Sequence, residues 1–271
     1  MRVDPARFAV SAITTQRWSA WDDLRHYQAL GVTGIGVWRQ KLDGVKLGAY
    51  GRAIRNEGLV VTNLCFTGQF TLGLDDAVED GKRALDEAAQ LGAPTVLVIS
   101  GPLQSENVGA AEGLLKEGLH RLADRAARLG ITLAVEALHP MDMTQWTIVP
   151  TVDKALDILD DLEHPSIQLM LDLYNSWWDP GLPAAIRRAG PRVAAVQLAD
   201  WRNPTRSFTD RTVPGRGVAP LRPLISAVEH TGYQGLYDLE IFSDEIWSSP
   251  EAYERTVSDA IHWWMEVEPH A

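Results

Sequence analysis

Short apolar runs alternate with amphipathic segments along this chain of 271 residues, and the rhythm predicts an α/β fold, a parallel (β/α)8 TIM barrel. Two further observations point the same way. The length suits one such barrel, and no repeat, linker or low-complexity stretch marks a second unit, so a single domain is expected over 1–271. The alternative is an open doubly wound sheet, which would more often carry a Gly-rich phosphate loop after its first strand. Ser11-Ala-Ile-Thr-Thr15 is not one.

The elements follow in order. Phe-Ala-Val-Ser-Ala-Ile at 8–13 reads as the first strand, with polar Thr14 and Thr15 after it, and a helix over 18–30 is closed by Gly31. Gly-Ile-Gly-Val-Trp at 34–38 is the second strand, and a helix over 44–56 leads to the third at 59–64, which ends before Cys65 and Phe66. Ala84, Leu85, Ala88, Ala89 and Leu91 give an apolar stripe to a helix over 73–91, stopped by Gly92. The fourth strand is Thr-Val-Leu-Val-Ile at 95–99, and a long helix over 109–129 ends at Gly130. Strand five covers 131–135 and is followed by a loop at 139–149 and a helix from 150 or 151 to 162. The second half repeats the plan: strands at 167–171, 193–198 and 235–239, with helices near 181–189, 221–231 and 250–267.

Composition narrows the partners. A formal net charge of −11 with no basic run opposes nucleic acid binding, because neutralising phosphates needs clustered Lys and Arg. Cys65 is the single cysteine, which excludes an intramolecular disulfide and a Cys-rich zinc site. The first ten residues carry charges where a signal peptide would need an apolar core, and nowhere do 18 apolar residues run together. A cytoplasmic protein with a small-molecule partner and no membrane association is expected. A homo-oligomer, or association with a small partner subunit, is left open.

Four strand ends carry the chemistry. Glu136, Asp172, Gln197 and Glu240 each follow an apolar run, and one βα unit separates each from the next. In a (β/α)8 barrel the C-terminal strand ends converge on one face, so these four share a site. Three carboxylates in a low-dielectric mouth repel one another, and a divalent cation is the simplest compensation. Their hard oxygen donors favour Mn²⁺ or Mg²⁺ over Zn²⁺, with Co²⁺ or Fe²⁺ accepted in vitro. Taken singly, an acidic residue ending a strand is more often a helix cap; four together reverse that reading.

Several segments carry a family resemblance. They are Val-Glu-Ala-Leu-His-Pro-Met at 135–141, Leu-Asp-Leu-Tyr-Asn-Ser-Trp-Trp-Asp-Pro at 171–180 and Val-Gln-Leu-Ala-Asp-Trp at 196–201, with Asp-Arg-Thr-Val-Pro-Gly-Arg-Gly at 210–217 and Tyr-Asp-Leu-Glu-Ile-Phe-Ser at 237–243. In these the chain resembles the xylose-isomerase-like barrel superfamily of sugar phosphate isomerases and epimerases. The resemblance implies metal ligation by Glu136, Asp172 and Glu240, and acid and base roles for Glu136 and Glu240. Gln197 stands where many sugar epimerases of the superfamily have His. A Gln ligand is more similar to the branch containing 3-dehydroshikimate dehydratases. Asn175 likewise stands where a His often follows the Asp strand.

The expected chemistry is proton removal beside a carbonyl. Glu136 and Glu240 on either side of a bound keto-sugar would remove and return a proton, giving epimerisation or isomerisation; a β leaving group would turn the same enolate into a lyase reaction. His139 is a candidate general acid or hydroxyl-binding group, against a loop His bonded to backbone. Arg39, Asn175, Trp178, Asp200 and Arg211 are candidate substrate-binding residues. Arg39 would clamp a carboxylate or phosphate, against a surface ion pair. Arg211 stands against a loop-bracing pair with Asp210 or Asp200, and Asp200 against capping. Trp177, Trp178 and Trp201 would wall the site, against packing or an oligomer contact. Cys65 reads as a small buried residue. Phosphate binding is not expected, because Asp210, Asp244 and Glu245 accompany the loop glycines Gly215 and Gly217.

Overall fold

The expected strands close on themselves. In the computed structural model, which describes residues 3–267, the chain begins β1 (Phe8–Ser11), α1 (Ala20–Ala29), β2 (Gly34–Trp38), α2 (Leu47–Asn56), β3 (Val60–Gly68), α3 (Leu74–Leu91), β4 (Thr95–Ile99) and α4 (Val108–Leu129). It continues β5 (Thr132–Glu136), α5 (Val152–Leu162), β6 (Ile167–Asp172), α6 (Leu173–Ser176), α7 (Leu182–Ala189) and β7 (Val193–Leu198). Then come β8 (Asp200–Trp201), β9 (Arg211–Thr212), α8 (Leu221–Glu229), β10 (Tyr237–Leu239), α9 (Asp244–Trp247) and α10 (Tyr253–Met265). The ends of the domain expected over 1–271, residues 1–2 and 268–271, lie outside the described residues.

Eight parallel strands form a closed barrel in the order β1, β10, β7, β6, β5, β4, β3, β2. Closure is made where Phe8, Ala9 and Val10 pair with Tyr237, Asp238 and Leu239. Because successive strand residues point to opposite faces, each strand contributes to two cores. Leu133 and Val135 of β5, Leu169 and Leu171 of β6, and Val196 and Leu198 of β7 pack outward against the helices. Ala134, Met170 and Ala195 belong to a second apolar cluster inside the barrel. Two residues further along the same strands, on that same inward face, stand Glu136, Asp172 and Gln197. The register sets Asp172 directly beside Gln197, and Gln197 beside Asp238.

The helices start and stop on local signals. Ser19 caps α1 in a reciprocal pair with Asp22, Asn107 caps α4, and Thr151 caps α5. Some elements depart from the expected pattern. The third strand runs on to Gly68 rather than stopping before Cys65, so Cys65 and Phe66 are strand residues. Asp172 caps the short helix α6, and β8 pairs antiparallel with β9 to form a two-stranded flap above the barrel. These pieces are too short to show a periodic pattern. Among the described residues no helix is long and apolar enough to cross a membrane.

Gly68 shows how tightly the mouth is built. Its φ is +115°, and a Cβ there would lie 2.0 Å from the carbonyl oxygen of Ile99, a backbone atom that cannot swing aside. Gly68→Ala is expected to destabilise the fold on the order of 3 kcal/mol, read from urea denaturation. A wild-type midpoint for this variant would show that the β3 end is softer than its packing implies.

Candidate active site

The strand ends bring the four expected ligands together at the C-terminal mouth. Glu136, Asp172, Gln197 and Glu240 are buried, with 4%, 0%, 0% and 3% exposure, and Arg211 from β9 reaches in among them at 2%. N–H donors link the carboxylates into a chain. Asn175 Nδ2 donates to Glu136 Oε1 at 3.1 Å and to Asp172 Oδ2 at 2.7 Å. Arg211 Nη1 donates to Asp172 Oδ2 at 3.0 Å and to Glu240 Oε2 at 3.2 Å. Gln197 Nε2 donates to Glu240 Oε1 at 2.7 Å, leaving Gln197 Oε1 buried without a partner. Below, the Cys65 thiol donates to Asn63 Oδ1, and Asn63 Nδ2 donates to Asp238 Oδ2.

The electrostatics follow from three carboxylates sharing one guanidinium. Burial, then repulsion from Asp172 and Glu240, pushes the Glu136 carboxyl well above the usual range. Burial raises Glu240 to about 8, against the pull of Arg211 and with added repulsion from Asp172 and Asp238. For Arg211 burial works against the charge, but Asp172 and Glu240 outweigh it and hold its pKa above the ordinary value. The guanidinium carbon also lies 4.2 Å from the ring centre of Tyr174 and 4.7 Å from that of Phe242. Among the described residues, no three His, Cys, Asp or Glu side chains are gathered in an arrangement that would hold a metal ion. Asn175 and Arg211 stand between the carboxylates instead.

The other expected site residues are placed differently. Arg39 points outward onto α3, where it pairs with Asp80 and Glu87, both at 2.7 Å, and does not line the cavity. The inward position at that strand end belongs to Trp38. Asp200 accepts the backbone N–H groups of Trp201, Gly215, Gly217 and Ala219, so it anchors the loop after β9 rather than reaching Gln197. Asp210 pairs with Arg202 and Arg206, which leaves Arg211 free for the carboxylates. His139 sits between Trp178 and Trp201, its Nδ1 accepting the Met141 N–H at 3.2 Å; burial lowers its pKa. Trp178 Nε1 donates to the Asn175 carbonyl. Thus Trp177, Trp178 and Trp201 pack beside the site, and the expected wall is built by other residues.

Those residues line a cavity of about 230 Å³ above Glu136, Arg211 and Glu240. They include Trp38, Phe66, Trp146, Phe208, Phe242 and Trp247, with Gln16 and Gln40 as uncharged polar groups. They come from separate strand ends and loops, so no spacing in the sequence joins them. The one signal available was Trp38 at the end of an apolar run. Cys65 also lines the floor; burial and the charges of Glu240, Asp238 and Glu136 push its thiol well above the ordinary range, which suits a packing role.

Fold and site together define a closed parallel barrel whose mouth concentrates buried carboxylates. Residues 24–266 match the family described as xylose isomerase-like TIM barrel, and the chain belongs to that family. It is 29% identical over 189 residues to a 3-dehydroshikimate dehydratase of Pseudomonas putida, a match covering 65% of this chain and 28% of that protein. The chain therefore spans little more than a quarter of that relative's length. It is 25% identical over 197 residues to an inosose isomerase of Bacillus subtilis, covering 70% of this chain and 66% of that protein. Among solved structures, protein SMc04130 of Sinorhizobium meliloti 1021 superposes with a TM-score of 0.92 at 32% identity, covering 97% of this chain and 99% of that one.

Two outcomes follow from the charge arrangement. Arg211→Met leaves the buried carboxylates with no cation, and should lose about 3–5 kcal/mol of unfolding free energy in chelator. An unchanged urea midpoint would contradict the role of Arg211 as their compensator. Second, Glu240 is raised to about 8, Asp23 and Asp238 to about 7, and Asp142 to about 6. These folded carboxyls hold protons that the unfolded chain has released, so their contribution is lost as pH rises through those values. The chelated protein should melt at a lower temperature at pH 8 than at pH 5.5; the reverse order would sink this account.

Proposed function

We propose that the chain is a divalent-metal-dependent isomerase or epimerase that acts through an enediolate on a ketose, keto-sugar or cyclic polyol ketone. The observation that carries this reading is the placement of Glu136 and Glu240. Both line one cavity, from strands three places apart in an eight-stranded ring, and both have carboxyls shifted upward. One can take a proton from the carbon beside a carbonyl while the other delivers one.

The donor types, three carboxylates and an amide oxygen, suit a divalent ion once Asn175 and Arg211, which stand between them, give way. Gln197 Oε1 is buried and unpartnered, an oxygen donor left unused by the protein. Glu136, Asp172, Gln197 and Glu240 would hold the ion, and their oxygen donors suit Mn²⁺, with Mg²⁺ or Co²⁺ also accepted. Such an ion, when bound, polarises the substrate carbonyl and stabilises the negative charge left by deprotonation. Arg211 fixes the rotamers of Asp172 and Glu240. The aromatic cavity keeps bulk water from the carbanion carbon. A cytoplasmic setting is in keeping with a lone reduced Cys65.

The second reading is a lyase using the same enolate, of the 3-dehydroshikimate dehydratase kind or eliminating from an oxidised (3-keto) O- or C-glycoside. Gln197 is the observation that favours it, together with the 29% identity to the Pseudomonas putida dehydratase.

Incubation with keto-sugars and cyclic polyol ketones in deuterated water with Mn²⁺ tests both. Deuterium at the carbon next to the carbonyl, without release of water or aglycone, is the expected result; stoichiometric release of a leaving group would replace the first reading by the second. Glu240→Gln and Glu136→Gln should each lower kcat by about 10²–10⁴-fold. Chelation should abolish turnover and Mn²⁺ restore it, and turnover indifferent to both would remove the metal from the proposal.

A further inference from the structure

The cavity has two unlike walls. Glu136, Arg211 and Glu240 form one; Trp38, Phe66, Trp146 and Trp247 make up the other, from β2, β3, the loop after β5 and α9, and Phe242 stands at the junction, 4.7 Å from the Arg211 guanidinium carbon. The aromatic rings brace one another edge to face. Trp38 lies 5.4 Å from Phe242 and 6.1 Å from Phe66, and Phe66 lies 6.2 Å from Trp146. Phe242 is packed in turn by Phe208 at 5.8 Å and Trp247 at 5.6 Å. Such a wall offers ring faces and edges, with Gln16 and Gln40 the uncharged polar side chains of the lining, so most hydroxyl groups buried against the rings would go unsatisfied.

Charge in the cavity is equally selective. Arg211 is the one basic residue among those lining it, and its Nη1 donates to both Asp172 and Glu240 while its Nε has no partner. The nearby cations are also engaged. Arg39 holds Asp80 and Glu87, and Lys41 holds Asp23 and the carbonyls of Ala12 and Thr15. A carboxylate or phosphate on the substituent, held against Trp38, Phe66, Trp146 and Trp247, would find no cation on that part of the lining to receive it. The volume of about 230 Å³ exceeds the roughly 150 Å³ that accommodates benzene, leaving room for a ring beside a polar head.

We infer that the substrate is a neutral hydroxy-ketone bearing a ring-sized apolar substituent, its polar end on Glu136 and Glu240 and its substituent against Trp38, Phe66 and Trp146. For the polar end this rests on the enediolate reading; for the apolar end it rests on the lining alone. The inference disfavours a free polyol, a sugar phosphate and a carboxylated ring.

Calorimetry on the Mn²⁺-loaded protein with three probes tests it: the methyl and phenyl glycosides of one 3-keto-hexose, and the 6-phosphate of the methyl compound. The phenyl glycoside should bind at least about tenfold more tightly than the methyl one, and the phosphate more weakly than either. Trp146→Ala should bring the phenyl-to-methyl ratio below about threefold while changing methyl affinity by less than about twofold; Phe208→Leu, at the rim, serves if that variant does not fold. Equal affinities, a ratio unchanged in both variants, or tighter binding of the phosphate would overturn the inference. Deuterium exchange on the methyl glycoside separates the two claims. Exchange without phenyl preference overturns the substrate class alone, whereas phenyl preference without exchange supports it and overturns the enediolate reading.

Discussion

The mouth of this barrel depends on one guanidinium. Glu136, Asp172 and Glu240 are delivered to a dry interior by three separate strands, and Arg211 is the cation that reaches among them. An uncompensated carboxylate in that setting would protonate or force the strands apart. The Asn175 amide extends the same solution by bridging Glu136 and Asp172, and the Gln197 amide extends it by donating to Glu240. Tyr174 and Phe242 hold the guanidinium plane between them, so its position is fixed by packing as well as charge.

The barrel and its carboxylates were legible in the sequence because they follow from a period of two. An apolar strand that ends in a carboxylate on its inward parity must place that carboxylate in the mouth, and Glu136, Asp172 and Glu240 obey this. The parity rule also explains two failures. Trp38 takes the inward position at the end of β2, so Arg39, one residue later, turns out to α3. Asp200 lies three residues past Gln197 and turns to the loop whose backbone it caps. His139 lies in a loop, where strand parity no longer holds, and its ring is settled by Trp178 and Trp201. The aromatic wall was illegible for another reason: each ring belongs to a different strand end or loop, and only closure of the barrel makes them neighbours.

Family membership sets the frame without setting the reaction. The chain is similar both to a dehydratase and to an isomerase. The lining above the carboxylates is, in this chain, aromatic and uncharged over most of its extent.

The flap of β8 and β9 has an evolutionary consequence. The carboxylates belong to the barrel frame, whereas their counter-cation arrives on an excursion between β7 and α8, tethered by Asp200 and closed by two residue pairs. Frame and counter-cation are thus separable modules. Re-aiming the excursion would change the charge state of the mouth without a change in any barrel strand's sequence, at the cost in stability that unpaired buried carboxylates impose.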